Sequence, residues 1–311
     1  MKRCTVGGQA VMEGVMMKNP ENGTALAVRQ SDGTIVTEYY QNKNRHKKGS
    51  FPTWPVVRGV YAFVEALSGG FKITTRSAEL LGEAVEEEPG KFEKWLSKKL
   101  GKSAGDMAMT VAVILAAALA VGLFVILPSL VVSFFQIESG FLVSLLEGVV
   151  RLLIFVGYLL AISRIKDIHR VFMYHGAEHK TIACYEAGEE LTVENIRKMS
   201  RFHPRCGTAF LFIVVLVSIL VFCVASVFIG VSVWWVNMLV RLALVPLVGG
   251  ISYEILRFCG RHDQNSICKI FIAPGLALQK LTTKEPTDSM IEVAIASVQA
   301  VIPENSNEDI W

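Results

Sequence analysis

Charged residues are scarce in this sequence: Asp, Glu, Lys and Arg make up 19% of its 311 residues, against about a quarter in soluble proteins. The net charge is only +3, with no concentrated basic patch, so no nucleic-acid partner is expected. The six cysteines show no paired spacing, which argues against a disulfide framework. The first 20 residues lack an uninterrupted apolar stretch with a cleavage site, so no signal peptide is expected.

Long apolar segments are what the sequence has instead, and 52% of its residues are hydrophobic. A helix of about 20 apolar residues can cross the hydrocarbon core of a bilayer. Four segments reach this length, at about 107–137, 141–162, 208–230 and 233–251. The first is too long for one straight span, and Pro128 predicts a kink or exit point within it. The expected fold is a mainly α membrane protein with four transmembrane helices.

The connections between the spans predict their orientation. The connection 163–207 carries eight Lys and Arg residues, whereas the connections between spans one and two, and between spans three and four, carry none. By the positive-inside rule the connection 163–207 is cytosolic, and an even number of spans puts both termini on the same side.

We therefore divide the chain into three parts. Residues 1–102 form a cytosolic N-terminal region, residues 103–251 form the membrane domain with its cytosolic central loop 163–207, and residues 252–311 form a cytosolic tail.

Local patterns predict elements outside the membrane. The alternation on either side of Asp32-Gly33 predicts a β-hairpin. Segments 56–81 and 91–102 have the pattern of amphipathic helices at a membrane surface or against the bundle. In the tail, a capping-box spacing from Ser289 to Glu292 predicts the start of a C-terminal helix.

The segment YHGAEHK, residues 174–180, carries the candidate site. On a helix, His175, Glu178 and His179 project from one face. Two imidazoles one turn apart commonly coordinate zinc, and a neighbouring carboxylate can serve as a base, as a further ligand or as a hydrogen-bond partner of a ligand. The order of the motif is that of the inverted zinc peptidases. A divalent metal ion, with zinc the expected identity, is therefore the predicted cofactor; the alternative is a solvated helix face.

Such a site needs a third ligand, and four residues can supply one. His203 and Cys206, in RFHPRCGT, rank first because both ends of the loop 163–207 must return to the same membrane face. Glu254 ranks next and Glu13 last. Three of them also have an ordinary structural explanation: a helix start for His203, a buried thiol for Cys206, and an ion pair with Arg257 for Glu254. Glu13 stands alone in the sequence and is the weakest of the four.

Two arginines fall at membrane depth, Arg151 in the second span and Arg241 in the fourth. A charge buried in lipid costs several kcal/mol unless it is paired, so such residues are candidates for function. The favoured explanation is structural, with Glu147 pairing one or both arginines and holding the two spans together.

Five motifs occur in this order along the chain: GGQAVMEGVMM, YHGAEHKTIACYE, RFHPRCGT, RLALVPLVGGISYE and PGLALQKLTTKEP. They resemble the motifs of the YqhQ-like family of bacterial membrane proteins, and the resemblance runs from about residue 4 to 300. It implies location in the bacterial inner (cytoplasmic) membrane and, since the family is described as predicted metal-dependent enzymes, a metal-dependent activity. It implies no established catalytic residue. The motifs single out Glu13, His175, Glu178, His179, His203, Cys206 and Glu254.

Three functional hypotheses follow. The first is a metal-dependent hydrolase at the inner membrane surface, with Glu178 as general base and a lipid-linked or membrane-protein substrate. The second is a non-catalytic membrane scaffold whose cluster is a structural metal site. The third is a small transporter in which Arg151, Arg241 and Glu147 line a path across the bilayer; it is less favoured because the four spans lack broken-helix pairs.

Overall fold

The computed structural model describes residues 4–41, 50–82, 104–228, 234–262 and 265–303. These residues form two compact units. The first unit comprises the described residues up to 83, together with 158–217 and those from 244 onward; the second comprises those within 84–157 and 218–243. All the predicted metal ligands and Glu178 belong to the first unit.

An antiparallel sheet of four strands opens the first unit, in the order β1-β2-β3-β4. Its strands are β1 (Gly7–Val11), β2 (Gly14–Asn19), β3 (Gly23–Arg29) and β4 (Ile35–Tyr40). The hairpin predicted around Asp32-Gly33 is confirmed as β3–β4. The β1–β2 hairpin was not predicted, because its two-residue turn places Glu13, rather than glycine or asparagine, at a positive φ of 49°.

Helix α1 (Val57–Leu80) confirms the first amphipathic segment. It packs its partly buried apolar side chains Ile73 and Leu80 against Val11 and Leu26 of the sheet. The second amphipathic segment, 91–102, lies outside the described residues.

Four helices within the described residues are long and apolar enough to cross a membrane, which confirms the predicted number. The first is α2 (Ala104–Val121) continued by a π-helical segment (Gly122–Ile126) and α3 (Leu127–Ser133); the others are α4 (Gly140–Ile162), α7 (Gly207–Phe228) and α8 (Trp234–Arg261). The fourth helix runs to Arg261, beyond the predicted end at residue 251, because polar residues continue it after the apolar stretch.

The distortion predicted at Pro128 is present in the first span. A π-helical segment, Gly122–Ile126, directly precedes the short helix that contains Pro128. Proline has no backbone N–H to donate to the carbonyl of Phe124, four residues earlier. That carbonyl instead accepts a hydrogen bond from Nε of Arg151, at 2.7 Å.

The intramembrane arginines make polar contacts within the second unit. Arg241 forms an ion pair with Glu147, and both side chains are buried. Arg151 also donates to Ser218, and both guanidinium groups lie over the ring of Phe222, at 5.2 and 5.7 Å from its centroid. The ion pair joins α4 to α8, as the structural explanation requires.

Four further helices complete the first unit: α5 (Lys166–Ala187), α6 (Val193–Lys198), α9 (Ser266–Thr282) and α10 (Asp288–Gln299). The buried faces of α5 and α10 share one hydrophobic core with β2 and β3. The predicted C-terminal helix is therefore present, although Thr287, not Ser289, is its N-cap residue.

Candidate functional site

Helix α5 presents the two motif histidines with their ring orientations fixed. Nδ1 of His175 lies 2.8 Å from the carbonyl oxygen of Thr282, and Nδ1 of His179 lies 2.6 Å from that of Arg201. A carbonyl can only accept a hydrogen bond, so both Nδ1 atoms carry the proton. In the neutral ring each Nε2 atom therefore keeps its lone pair, which is the form that binds a metal.

Cys206 supplies a third donor atom. Its Sγ lies 3.2 Å from Nε2 of His175, and the donor atoms of His175, His179 and Cys206 all lie within 4.8 Å of one another. Within the described residues this is the one group of three His, Cys, Asp or Glu side chains close enough to share an ion.

The donors fit zinc, which prefers imidazole nitrogen and thiolate sulfur. Nε2 of His179 is also buried and has no hydrogen-bond partner among the described residues. A buried lone pair without a partner is costly, and a cation would satisfy it.

His203 lies beside this group but outside it. Its ring centroid is 5.7 Å from that of His179. Its Nε2 is 3.5 Å from a carboxylate oxygen of Glu186, and its backbone exchanges two hydrogen bonds with the side chain of Gln279. Cys206, rather than His203, is thus the ranked candidate that the structure joins to the motif histidines.

Glu186 carries a charge beside His203. Burial by itself would raise its pKa, but the hydrogen bond with His203 and the charge of Arg205 outweigh burial and lower the pKa to about 2. Arg205 forms an ion pair with this carboxylate and donates to the carbonyl of Cys4. This network holds the start of the chain against the end of the loop that carries Cys206.

Glu178 is buried on the same face of α5 as the histidines. The backbone N–H of Gly8, in β1, donates to its carboxylate, and Oε2 has no hydrogen-bond partner among the described residues. Burial raises the pKa of Glu178 to about 7, against smaller opposing effects of His175 and Gly8. Near neutral pH this carboxyl group can therefore both accept and release a proton.

Two glycines allow the close packing around these side chains. A Cβ atom on Gly8 would lie 2.8 Å from the carboxyl carbon of Glu178, and one on Gly176 would lie 2.0 Å from the carbonyl oxygen of Lys284. Helix α5 thus runs directly against Lys284, which follows α9, and the last residue of α9, Thr282, supplies the carbonyl that orients His175.

A pocket of about 390 Å³ brings these groups together, a volume within the range of small-molecule sites. Strand β1, helix α5 and the segment that leads into α7 form its walls. It is lined by Thr5, Val6, Gly7, Gly8, Gln9, Ala10, Val171, Phe172, His175, Glu178, His179, Ile182, His203, Arg205, Cys206, Gly207, Thr208 and Leu211.

The two remaining ligand candidates pair with arginines instead. Glu254 accepts two hydrogen bonds from Arg58 of α1, one of them at 2.6 Å. Glu13 accepts two from Arg170, at 2.5 and 2.6 Å, and these hydrogen bonds lower its pKa. Neither carboxylate belongs to the three-residue group. The ligand roles proposed for them stay predictions.

The contacts that orient the site were not predicted. They are made by the backbone of Gly8, Arg201 and Thr282, and backbone groups leave little trace in a sequence. All three residues fall within motifs that carried the family resemblance: Gly8 in GGQAVMEGVMM, Arg201 in RFHPRCGT and Thr282 in PGLALQKLTTKEP. The motifs were therefore the signal in the sequence that could have pointed to these backbone contacts.

Fold and site define a class: a helical membrane protein with a small N-terminal sheet and a His/His/Cys group beside a buried glutamate. Residues 54–304 match the family described as "Protein of unknown function (DUF1385)", and the chain belongs to this family. It is also 34% identical to "Uncharacterized protein YqhQ" of Bacillus subtilis (strain 168) over 298 residues, covering 95% of this chain and 92% of that protein. The resemblance to YqhQ-like proteins is thus confirmed. No solved structure matches.

Proposed function

We propose that this protein is a metal-dependent hydrolase of the bacterial cytoplasmic membrane. His175, His179 and Cys206 would hold a divalent ion, zinc in the first place, and Glu178 would act as general base. One observation carries the proposal: two imidazoles with their Nδ1 atoms bound to carbonyls turn their Nε2 atoms toward a thiol, in a pocket that a buried carboxylate also lines.

The bound ion would supply Lewis acidity to an oxygen of the substrate. Glu178 would take the proton from the attacking water and return it to the leaving group, a role that suits a carboxylate in the wall of the same pocket. Gly8 would hold this carboxylate through its backbone N–H, so that Oε2 stays available for the proton.

The number of protein ligands favours an enzyme over a structural site. Structural zinc is held by four protein ligands, whereas catalytic zinc has three and an open position. The group contains three, and the neighbouring His203 places its Nε2 3.5 Å from a carboxylate oxygen of Glu186. The scaffold hypothesis requires the His203 ring to move away from Glu186 and become the fourth protein ligand of the ion.

The proposed orientation follows from charge and chain order. The basic connection 163–207 contains the motif helix, and Cys206 is the residue directly before the span Gly207–Phe228. With both termini cytosolic, the site would open at the inner membrane surface. A lipid-linked or membrane-protein substrate would reach it there.

Metal content tests the proposal. The full chain, purified in detergent, should carry about one zinc ion by mass spectrometry, and the His175→Ala/His179→Ala double variant should carry less than about a tenth of that. His169→Ala is the matched control, because this exposed histidine lies on the same helix. A wild-type protein with no more metal than the double variant would overturn the metal site.

A second measurement separates enzyme from scaffold. Glu178→Gln should keep the metal and lose hydrolysis of a panel of chromogenic esters and labelled peptides by at least about a hundredfold, the usual contribution of a general base. X-ray absorption should show three protein ligands on the metal. Four protein ligands, or an unchanged rate in Glu178→Gln, would favour the scaffold.

A further inference from the structure

Strand β1 forms one wall of the pocket and is also an edge strand. Among the residues that the structure describes, the sheet order gives it a strand neighbour, β2, on one side only. The six consecutive residues 5–10 line the pocket, a length of about 20 Å in extended conformation. A sheet edge that carries no second strand among the described residues, and that α5 flanks, therefore runs past the His/His/Cys group.

The register shows which backbone groups point away from β2. Val11 pairs with Gly14 across a two-residue turn, which makes them a hydrogen-bonded pair. Hydrogen-bonded pairs alternate along an antiparallel ladder, so Gln9 and Gly7 also bond to β2, whereas Gly8 and Ala10 direct their N–H and C=O groups outward. The bond from the N–H of Gly8 to Glu178 has this outward direction.

Three outward groups remain: the carbonyl of Gly8 and both backbone groups of Ala10. None of the three has a hydrogen-bond partner in the part of the chain that the structure describes. Gly7 and Gly8 are exposed and carry no side chain, so a second chain can approach the edge closely.

We infer that the substrate is an extended polypeptide segment that adds to the free edge of β1 and so lies across the three donor atoms. Pairing with an exposed edge is a general mode of peptide recognition, in which main-chain hydrogen bonds supply affinity. The inference rests on the proposed hydrolase and names its substrate class.

The charge of the pocket favours a polypeptide over a phosphate-bearing lipid. Its lining includes one Lys or Arg side chain, Arg205, which is already bound to Glu186 and to the carbonyl of Cys4. A phosphate group would need further cationic donors. The apolar lining suits side chains of a peptide, and is supplied by Val171, Phe172, Ile182 and Leu211.

The reaction would be hydrolysis of a peptide bond. The oxygen of water bonds to the carbonyl carbon, the carbon–nitrogen bond breaks, and the products are a carboxylic acid and an amine, which become a carboxylate and an ammonium group once the acid gives its proton to the amine. Glu178 accepts the proton of the water and delivers it to the leaving nitrogen. No redox partner or further reactant is required.

The test uses the full chain in detergent, loaded with zinc, and a tripeptidyl hydroxamate whose hydroxamate chelates the metal. Methylation of the peptide amide that would donate to β1 should weaken binding by about tenfold, the effect of one hydrogen bond. In Ala10→Pro, which removes an outward N–H and leaves the ladder to β2 intact, the unmethylated compound should also bind about tenfold more weakly. Ala10→Val keeps the N–H and is the matched control.

The outcomes separate the inference from the proposed function. If wild-type protein binds zinc but methylated and unmethylated compounds bind equally, the polypeptide inference is overturned and the hydrolase stands. If an alkyl hydroxamate without peptide bonds binds as tightly as the peptide, a lipid substrate replaces the polypeptide. If wild-type protein binds no zinc, the proposed function fails. Should Ala10→Pro not fold, the pair of compounds on wild-type protein decides alone.

Discussion

Nε2 of His175 lies 3.2 Å from Sγ of Cys206, although 30 residues separate them in the chain. A thiolate that binds cobalt gives a charge-transfer band that nitrogen and oxygen ligands do not. We therefore expect the cobalt-substituted protein to show this band, and Cys206→Ala to lose it and bind metal at least tenfold more weakly. Cys223→Ala, which changes a buried cysteine in the third span, should retain both properties.

Replacement of Glu254 or Glu13 by glutamine should leave the bound metal unchanged. Each carboxylate is held by an arginine, Glu254 by Arg58 and Glu13 by Arg170. The expected cost is one partly exposed ion pair, about 1 kcal/mol or less in the free energy of unfolding. Metal analysis of each variant beside His179→Ala checks this expectation. Loss of metal from Glu254→Gln would restore its role as a ligand.

The stability of the metal-free protein should depend on pH through Glu178. Its pKa is raised from 4.5 to about 7 by burial, so between these values the folded state keeps a proton that the unfolded state releases. The free energy of unfolding should therefore fall as pH rises through this window, by about 3 kcal/mol. Thermal unfolding in detergent and a chelator measures the trend. Glu178→Gln should give a flatter profile, and parallel curves would contradict the assignment.

The ion pair between Glu147 and Arg241 can be tested for a structural role against a role in transport. Arg241→Leu leaves the carboxylate of Glu147 buried without its partner and should lower the free energy of unfolding by about 3–5 kcal/mol. The double variant Glu147→Met/Arg241→Met should recover most of this loss. Thermal stability in detergent distinguishes the three proteins. A double variant no more stable than the single one would show that the pair does more than join two helices.

Much of the architecture could be predicted because its signals are local. Spans are marked by uninterrupted apolar length, and the β3–β4 hairpin by Asp32-Gly33. The β1–β2 hairpin lacks such a signal, because Glu13 occupies a backbone conformation that glutamate seldom adopts.

The candidate site also has features that local sequence patterns predict and features that they do not. Helical spacing predicts that His175, Glu178 and His179 share a face, and chain reversal predicts that Cys206 returns to them. Neither pattern predicts that the His203 ring lies against Glu186. That position involves Arg205, which pairs with Glu186, and Gln279, which binds the His203 backbone from 76 residues away. Long-range partners of this kind leave no periodic pattern in a sequence.

The carbonyl that orients His175 belongs to Thr282, beyond the last of the four apolar helices. Segment 282–284 also touches α5 at Gly176, where no side chain would fit. During synthesis, the ribosome must therefore add the chain through Thr282 before the imidazole can take its final orientation. Orientation of the imidazole would then follow membrane insertion, so a nascent protein stalled before this segment would be inserted yet would lack the oriented histidine.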